Sequence, residues 1–203
     1  DNPTGTTYPK KILKEIIKIA KDYDLFIISD EVYGNIAYGK EKMTSLSEVI
    51  GSVPGLAMKG ISKEFPWPGA RCGWIEIYNK NKDEIFARYI KNVFDAKMME
   101  VCSTTLPQSV IPEIMSDIRY KKHIKDKNNF YKKRAELAYN ILKKVSGIIA
   151  TKPSGAFYMP VVFSAGILNG NQKLKINNKK VKNFIEQKTH NGLVPPDKRF
   201  VYY

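Results

Sequence analysis

Cysteine and histidine are scarce in this sequence of 203 residues, which has two cysteines, Cys72 and Cys102, and two histidines, His123 and His190. Two cysteines cannot form the several disulfides that hold small secreted domains together. A structural zinc site needs four ligands, and nothing in the spacing of these four residues brings them to one place. We therefore expect a cytoplasmic protein without a metal site.

Long apolar runs are also missing. No stretch approaches the roughly 20 consecutive apolar residues that a membrane-spanning helix requires, and the first residues do not form a charged-then-apolar signal segment. We expect no membrane partner. Hydrophobic residues make up 43% of the chain and charged residues 27%, which is typical of a globular protein that can bury a sizeable core.

Acidic residues are scarce in the second half only. Residues 1–118 contain 15 Lys/Arg and 16 Asp/Glu, a net charge of −1, whereas residues 119–203 contain 19 and 4, a net charge of +15, so the second half accounts for the chain's formal net charge of +14. Such asymmetry can indicate a nucleic-acid surface. The basic residues are nearly all lysines interspersed with asparagines, as in residues 169–180, and few are the arginines that read bases. A solvated lysine-rich face explains this equally well, and nucleic acid is the less favoured partner.

Helical and strand patterns alternate through the first half. Ile12, Ile16 and Ala20 recur at helical spacing, which predicts a helix after Pro9. Three short apolar runs predict strands, and the first of them suits a strand buried on both faces; they cover residues 25–29, 55–61 and 72–78. Further helices are predicted from 83 to about 97 and from 107 to about 117. The order is typical of an α/β protein with a parallel or mixed sheet.

The second half has a different pattern of predicted helices and strands. A long helical pattern runs from about 123 to 145, with an apolar stripe formed by Phe130, Leu137, Ile141 and Leu142. Short strands are predicted at 148–150 and 156–163, a helix at 181–188 and a terminal strand at 200–203. We predict two domains: residues 1–118, and residues 119–203, a small α+β domain that includes the long bridging helix.

Four segments of the first half together indicate a functional site. They are residues 2–5 (NPTG), 29–33 (SDEVY), 62–63 (SK) and 68–74 (PGARCGW). Each alone has an ordinary explanation as a turn, a helix cap or one lysine among 29. In their order and spacing they resemble the large domain of the pyridoxal-phosphate aminotransferases of fold type I, the class I/II family. The resemblance covers most of residues 1–118 and continues through residues 154–158 (SGAFY).

The resemblance implies a fold and a cofactor. The fold would be part of the large cofactor-binding domain, a mostly parallel sheet flanked by helices, and the cofactor would be pyridoxal 5'-phosphate. Ligands of open α/β sheets gather outside the carboxyl ends of the strands, where Asp30 lies. Asp30 would hydrogen-bond the protonated pyridine nitrogen, Lys63 would be the catalytic Schiff-base lysine, and Arg71 would bind the phosphate through its planar guanidinium.

Three more roles follow from the same resemblance. Tyr33 and Asn2 would donate hydrogen bonds to the phenolic oxygen of the cofactor, and Asn2 would also touch the substrate carboxylate. Arg199, which precedes a late apolar segment, would bind the substrate carboxylate in a bidentate pair. The segment that leads into Arg199 is shorter than is usual in the family.

Two departures from the family pattern stand out. Gly60 occupies the position, three residues before Lys63, where many members carry a serine that helps to hold the phosphate. The amino-terminal half of the family has no counterpart here, so the chain resembles roughly the carboxy-terminal half and we expect it to be incomplete.

The resulting hypothesis is an aminotransferase that moves an amino group between an amino acid and a 2-oxo acid and works as a homodimer. A carbon–sulfur β-lyase with the same cofactor is the nearest alternative, because both reactions begin with the same proton abstraction. A basic nucleic-acid-binding module and a non-catalytic fragment are alternatives of a different class.

Overall fold

The computed structural model describes residues 1–168, 175–189 and 194–202. The helices are α1 (Lys10–Asp22), α2 (Ile61–Glu64), α3 (Glu84–Met98), α4 (Thr105–Ser116), α5 (Arg119–Leu142), α6 (Lys179–Thr189) and α7 (Pro196–Tyr202), and the strands are β1 (Ile27–Asp30), β2 (Gly55–Gly60), β3 (Gly73–Tyr78), β4 (Ile148–Ala150) and β5 (Val161–Phe163). None of the helices in these ranges is both long and apolar enough to span a lipid bilayer.

The larger sheet has the order β1-β2-β3. β1 and β2 are parallel, with Asp30 opposite Met58, whereas β2 and β3 are antiparallel, with Gly60 opposite Gly73. The α/β class is confirmed, and within the described residues the sheet is mixed, since half of its strand pairs are antiparallel. The connection between β2 and β3 contains only the four-residue helix α2 and a short turn, and it has no long crossover helix of the kind that usually joins parallel strands.

Helices pack on both faces of the central strand. Because successive side chains of a strand point to opposite faces, Leu56 and Ala57 of β2 contribute to two different clusters. Ala57 packs with α1 and the β1–β2 connection in a cluster of Ala20, Leu46, Ile50, Val53 and Ala57, and Leu56 packs with α3 in a cluster of Leu56, Phe86 and Ile90. The Asp83 carboxylate accepts a hydrogen bond from the backbone nitrogen of Phe86 at 2.6 Å and so caps α3.

The prediction that β1 is buried on both faces is wrong for this structure. Ile28 is 48% exposed and the preceding Leu25 is 54% exposed. In the described part of the chain β1 pairs only with β2, so it forms an edge of the sheet and one of its faces stays open.

The long helix α5 also differs from its predicted packing. Three residues of the predicted apolar stripe are exposed, namely Phe130 at 47%, Leu137 at 64% and Ile141 at 58%. The face of α5 that contacts α2 is polar and aromatic instead, as described below for Tyr120 and Lys127.

The chain divides into two compact units. Unit 1 comprises Asp1–Leu137 and Lys152–Met159, and unit 2 comprises Ala138–Thr151 and Pro160–Tyr203. Unit 2 contains the antiparallel pair β4–β5 together with α6 and α7. The division into domains at 1–118 and 119–203 stays a prediction, and residue 118 itself lies inside unit 1.

Candidate active site

The topology brings three of the predicted residues to one edge of the sheet. Asp30 is the last residue of β1, and Lys63 follows the carboxyl end of the parallel strand β2 by three residues. Arg71 precedes the start of β3 by two residues, and this start pairs with the end of β2. The three side chains therefore extend from neighbouring strand ends, which are about 4.8 Å apart in a sheet.

The turn after Asp30 is held in place by a buried carboxylate. Oδ1 of Asp30 accepts a hydrogen bond from the backbone nitrogen of Val32 at 3.1 Å. Glu31, which is only 6% exposed, accepts hydrogen bonds from the backbone nitrogen of Leu46 at 2.6 Å and from the Ser45 hydroxyl at 3.0 Å. Because the next residue is anchored in this way, the Asp30 carboxylate stays at the sheet edge, exposed to an incoming group.

A cavity of about 310 Å³ joins three of the predicted residues. Asn2, Asp30 and Tyr33 are among the residues that line it. This volume lies near the lower end of the range of about 300–1,000 Å³ found for small-molecule sites. Lys63 and Arg71 are not among its lining residues.

The amino-terminal turn that carries Asn2 packs closely on a distant segment. Gly5 has φ +68°, and its oxygen accepts hydrogen bonds from the backbone nitrogens of Ser154 at 2.8 Å and Gly155 at 2.9 Å. A Cβ at Gly5 would lie 2.7 Å from Cβ of Pro153. Glycine is therefore required here by both conformation and space, and the contact brings the segment that includes Phe157 and Tyr158 to the site.

Tyr33 lies against two other aromatic side chains. Its hydroxyl is hydrogen-bonded to that of Tyr158, and its ring centre is 5.3 Å from that of Phe157 in an edge-to-face arrangement. Partial burial raises the pKa of the Tyr33 phenol far above its usual value near 10, and the hydrogen bond to Tyr158 and the charge of Asp30 raise it further. The Tyr33 phenol therefore stays neutral to a higher pH than an ordinary tyrosine, and a neutral phenol can donate a hydrogen bond.

The Lys63 amine lies beside the same aromatic group. Its Nζ is 5.7 Å from the ring centre of Tyr33 and 5.8 Å from that of Phe157, which is within the range of a cation–π contact. Lys63 is half-buried. The structure therefore brings Lys63 to Tyr33, and Tyr33 to the cavity that Asn2 and Asp30 line.

Arg71 lies at the sheet edge in an exposed position. It ends the short turn Pro68–Ala70 with φ +48°, and its Nη1 donates a hydrogen bond to the Pro68 oxygen at 3.1 Å. The Thr104 hydroxyl fixes the Arg71 backbone by donating to its oxygen at 3.2 Å. A turn is present at Pro68–Ala70, and most of the donors of the Arg71 guanidinium remain for a ligand.

Arg199 belongs to unit 2, where the backbone around it forms α7. The predicted strand at 200–203 is wrong, since α7 extends through Tyr202. A run of apolar and aromatic residues this short fits a helix as well as a strand, and the Pro196-Asp197 start favours a helix. The side chain of Arg199 lies outside the described part of the chain, so its role stays a prediction. Residues 190–193 of the segment that leads into it also lie outside the described part.

Two kinds of contact residue were not singled out from the sequence. Phe157 forms part of the wall beside Lys63, and the segment SGAFY, which carries the family resemblance, was a signal that could have placed it there. Lys127 of α5 donates hydrogen bonds to the backbone oxygens of Lys63 and Glu64, the latter at 2.7 Å. One lysine in a lysine-rich helix gave no signal for this contact.

The fold and this edge define an α/β protein whose candidate functional residues gather at one edge of the sheet, at the carboxyl ends of β1 and β2 and the start of β3. A family model for aminotransferase class I and II matches residues 1–187, and the chain belongs to this family. It is 56% identical over 203 residues to an uncharacterized aminotransferase of Methanocaldococcus jannaschii, which it matches over its own full length and over 46% of the relative.

Two further relatives carry named activities. A tyrosine aminotransferase of Caenorhabditis elegans is 32% identical over 166 residues, which are 80% of this chain and 34% of the relative. An alanine aminotransferase of known structure from Pyrococcus furiosus superposes with a TM-score of 0.70 at 29% identity, over 94% of this chain and 45% of that one. The chain thus spans about half the length, or less, of the relatives it matches, and its fold is that of part of a fold type I enzyme.

The aminotransferases of this family depend on pyridoxal 5'-phosphate. The residues at the sheet edge fit this group by their chemistry. They offer an amine for its aldehyde, a carboxylate for its ring nitrogen, a phenol for its ring oxygen and a guanidinium for its phosphate, and the rings of Tyr33 and Phe157 offer an apolar surface beside the amine.

Proposed function

We propose that the protein is a pyridoxal-phosphate-dependent aminotransferase, which moves an amino group between an amino acid and a 2-oxo acid. The observation that carries the proposal is the sheet register, which aligns the ends of β1, β2 and β3 so that Asp30, Lys63 and Arg71 extend from one edge. Membership of the aminotransferase class I and II family supports the reaction type.

The bound cofactor supplies an aldehyde that condenses with amines and a ring that takes up an electron pair. Lys63 is the residue that would hold it covalently, since only a primary amine can condense with an aldehyde and be displaced by the substrate amine. Once displaced by the substrate, the amine of Lys63 would be free to accept the proton from the α-carbon of the substrate and to donate it again to a second carbon. The flexible side chain of Lys63 allows its amine to reach both the carbon that loses the proton and the carbon that receives it.

The other residues hold the reacting groups in place. The Asp30 carboxylate would keep the ring nitrogen protonated, since each charge stabilises the other. Arg71 would bind two phosphate oxygens. The neutral phenol of Tyr33 and the amide of Asn2 would donate to the ring oxygen, and Asn2 and Arg199 would orient the substrate carboxylate so that the bond to the α-proton is aligned for cleavage.

The amino acid that donates the group is not selected by these residues. The relatives named above act on amino acids as different as tyrosine and alanine, according to their names. The proposal is therefore for the class, an α-amino acid and a 2-oxo acid.

The proposal extends to a homodimer in the cytoplasm. Both cysteines are free, in keeping with a reducing compartment. A second chain would cover apolar side chains of the α3–α4 region that are now exposed, such as Met99 at 82% and Val101 at 94%. Size-exclusion chromatography with light scattering would measure the number of chains in the assembled protein.

Incubation of the full-length protein with amino acids and 2-oxo acids tests the reaction. We expect amino-group exchange in the wild type and none in Lys63→Ala, whereas Lys91→Ala, which removes an exposed lysine of α3, should retain full activity. Release of pyruvate and ammonia from cystathionine without any amino-group exchange would show the β-lyase reaction instead and would contradict the proposal.

A further inference from the structure

The turn that carries Lys63 has little helical structure of its own. α2 has four residues, and the bond that closes it runs from the backbone nitrogen of Phe65 to the oxygen of Ile61 at 3.2 Å. The last four carbonyl groups of a helix lack partners within it. In a helix this short, the carbonyl end therefore depends on donors from other elements.

Helix α5 supplies those donors. Nζ of Lys127 donates hydrogen bonds to the backbone oxygens of Lys63 and Glu64. Nε2 of His123 lies 2.8 Å from the backbone oxygen of Glu64 and donates to it when this nitrogen carries the proton. A cation at the carboxyl end of a helix also interacts favourably with the helix dipole. Partial burial lowers the pKa of Lys127, and the negative charge of Glu64 opposes that shift.

The Glu64 side chain makes a second connection to α5. It is 8% exposed, and its Oε2 accepts a hydrogen bond from the Tyr120 hydroxyl at 3.1 Å. Its Oε1 accepts a hydrogen bond from the side-chain nitrogen of Asn35 at 2.8 Å. Nδ2 of Asn128 on α5 in turn donates to the backbone oxygen of Asn35 at 3.0 Å. A buried carboxylate is costly unless such bonds replace its hydration, so these contacts fix Glu64 in one position.

The contacts from α5 come from a single face of the helix. Tyr120, His123 and Lys127 are three and four residues apart, which places them one above the other. The ring of Phe65 stacks on those of Tyr120 and His123 at centre distances of 5.5 and 5.7 Å. We call Tyr120, His123 and Lys127 the α5 clamp.

We infer that the α5 clamp positions Lys63 for catalysis, with Lys127 and Glu64 as positioning residues on the two sides of the contact. The inference rests on the proposed function of Lys63. Lys127 binds the backbone oxygen of Lys63 itself, so it fixes the point from which the flexible side chain reaches the reacting atoms. A displacement of about 1 Å at such a point can reduce a reaction rate by roughly 100-fold.

The first test compares two lysines of α5 that carry the same charge. Lys127→Met removes the donor from the clamp, and Lys125→Met removes an exposed lysine two residues away as the matched control. In the cofactor-free full-length protein, we expect hydrogen exchange in peptides covering residues 60–65 to become roughly tenfold faster in Lys127→Met and to stay unchanged in Lys125→Met. We expect the dissociation constant for pyridoxal phosphate to rise roughly tenfold in Lys127→Met alone.

The second test uses variants of the carboxylate and its partner. Glu64→Gln keeps an oxygen acceptor for Asn35, and in place of the oxygen that accepts from Tyr120 it offers an amide nitrogen that can donate to the Tyr120 oxygen. It should therefore restore part of the protection and affinity that Glu64→Ala loses. Tyr120→Phe removes a single oxygen and keeps the stacking on Phe65, so it remains informative if Lys127→Met does not fold. We expect it to accelerate exchange in residues 60–65 roughly threefold.

The outcomes separate this inference from the proposed function. Unchanged exchange in both Lys127→Met and Tyr120→Phe would overturn the clamp, and so would faster exchange with unchanged cofactor affinity, because the turn would then be loosened without effect on Lys63. The exchange measurement does not need the reaction. Failure of the wild type to transfer amino groups, with the exchange result intact, would contradict the proposed function instead.

Discussion

At the scale of single residues, the hydroxyl of Tyr33 shows how neighbours set the chemistry of a side chain. Burial is the largest cause of the raised pKa of Tyr33, and the hydrogen bond to Tyr158 is the next. A phenol that stays neutral can donate to an oxygen of a bound ligand at any physiological pH, which is the role that the family resemblance implies for Tyr33.

The substitution Tyr158→Phe tests this dependence. It removes the hydroxyl partner and leaves the ring contact, so we expect the pKa of Tyr33 to fall toward 10 while remaining above it, because burial persists. Titration of protein with ¹³C-labelled tyrosine, followed by NMR, would measure it. Tyr38→Phe is the control, since the Tyr38 hydroxyl donates to the Gly155 oxygen instead. An unchanged pKa of Tyr33 in Tyr158→Phe would contradict the assignment.

The sequence indicated Asp30, Lys63 and Arg71 because the order and spacing of their segments resemble those of the aminotransferase family, and Asp30 also follows a predicted strand. It could not indicate Lys127 or Tyr120, because their importance comes from the position of α5 against α2, more than 50 residues apart in the chain. Tertiary contacts of this kind leave no pattern in one sequence, where a lysine in a lysine-rich helix looks like any other.

At the scale of secondary-structure elements, β2 follows the hydrophobic pattern of its sequence. β2 has apolar residues on both faces because helices cover both, and it is the central strand. α7 was mistaken for a strand, since seven residues are too few for periodicity to separate the two structures. The apolar stripe predicted on α5 is exposed, since α5 uses a polar face to hold α2 and Glu64.

The packing of α3 on the sheet gives a prediction of stability. Phe86 is fully buried against Leu56 and Ile90, so we expect Phe86→Ala to lower the free energy of unfolding by about 3–5 kcal/mol. The neighbouring Ile85 is 67% exposed, and Ile85→Ala should change it by less than about 1 kcal/mol. Denaturant unfolding of both variants measures the difference, and equal effects would show that α3 packs differently.

At the scale of the whole molecule, the distribution of charge is the feature that the active site does not explain. Residues 119–203 hold 19 basic and 4 acidic side chains. Many of these lysines are exposed, and in the described residues two of them form ion pairs one helical turn apart, Lys122 with Asp126 at 2.5 Å and Lys182 with Glu186 at 3.8 Å. Such pairs contribute little to stability, and they are typical of a solvated face.

We therefore expect weak, non-specific attraction to nucleic acid. Binding to duplex DNA should have a dissociation constant above about 1 µM at 0.15 M salt and should be independent of sequence. Fluorescence anisotropy over a range of salt concentrations measures this, with an equally long dextran sulfate as the control polyanion. Tighter, sequence-dependent binding to DNA would favour the nucleic-acid-binding alternative.

The most direct test of the central claim is to reduce the full-length protein with borohydride in the presence of pyridoxal phosphate and to map the modified peptide by mass spectrometry. The account predicts a pyridoxyl group on Lys63, with Lys59 and Lys127 unmodified although both are close in the fold. A group on another lysine, or no stable modification at all, would contradict it.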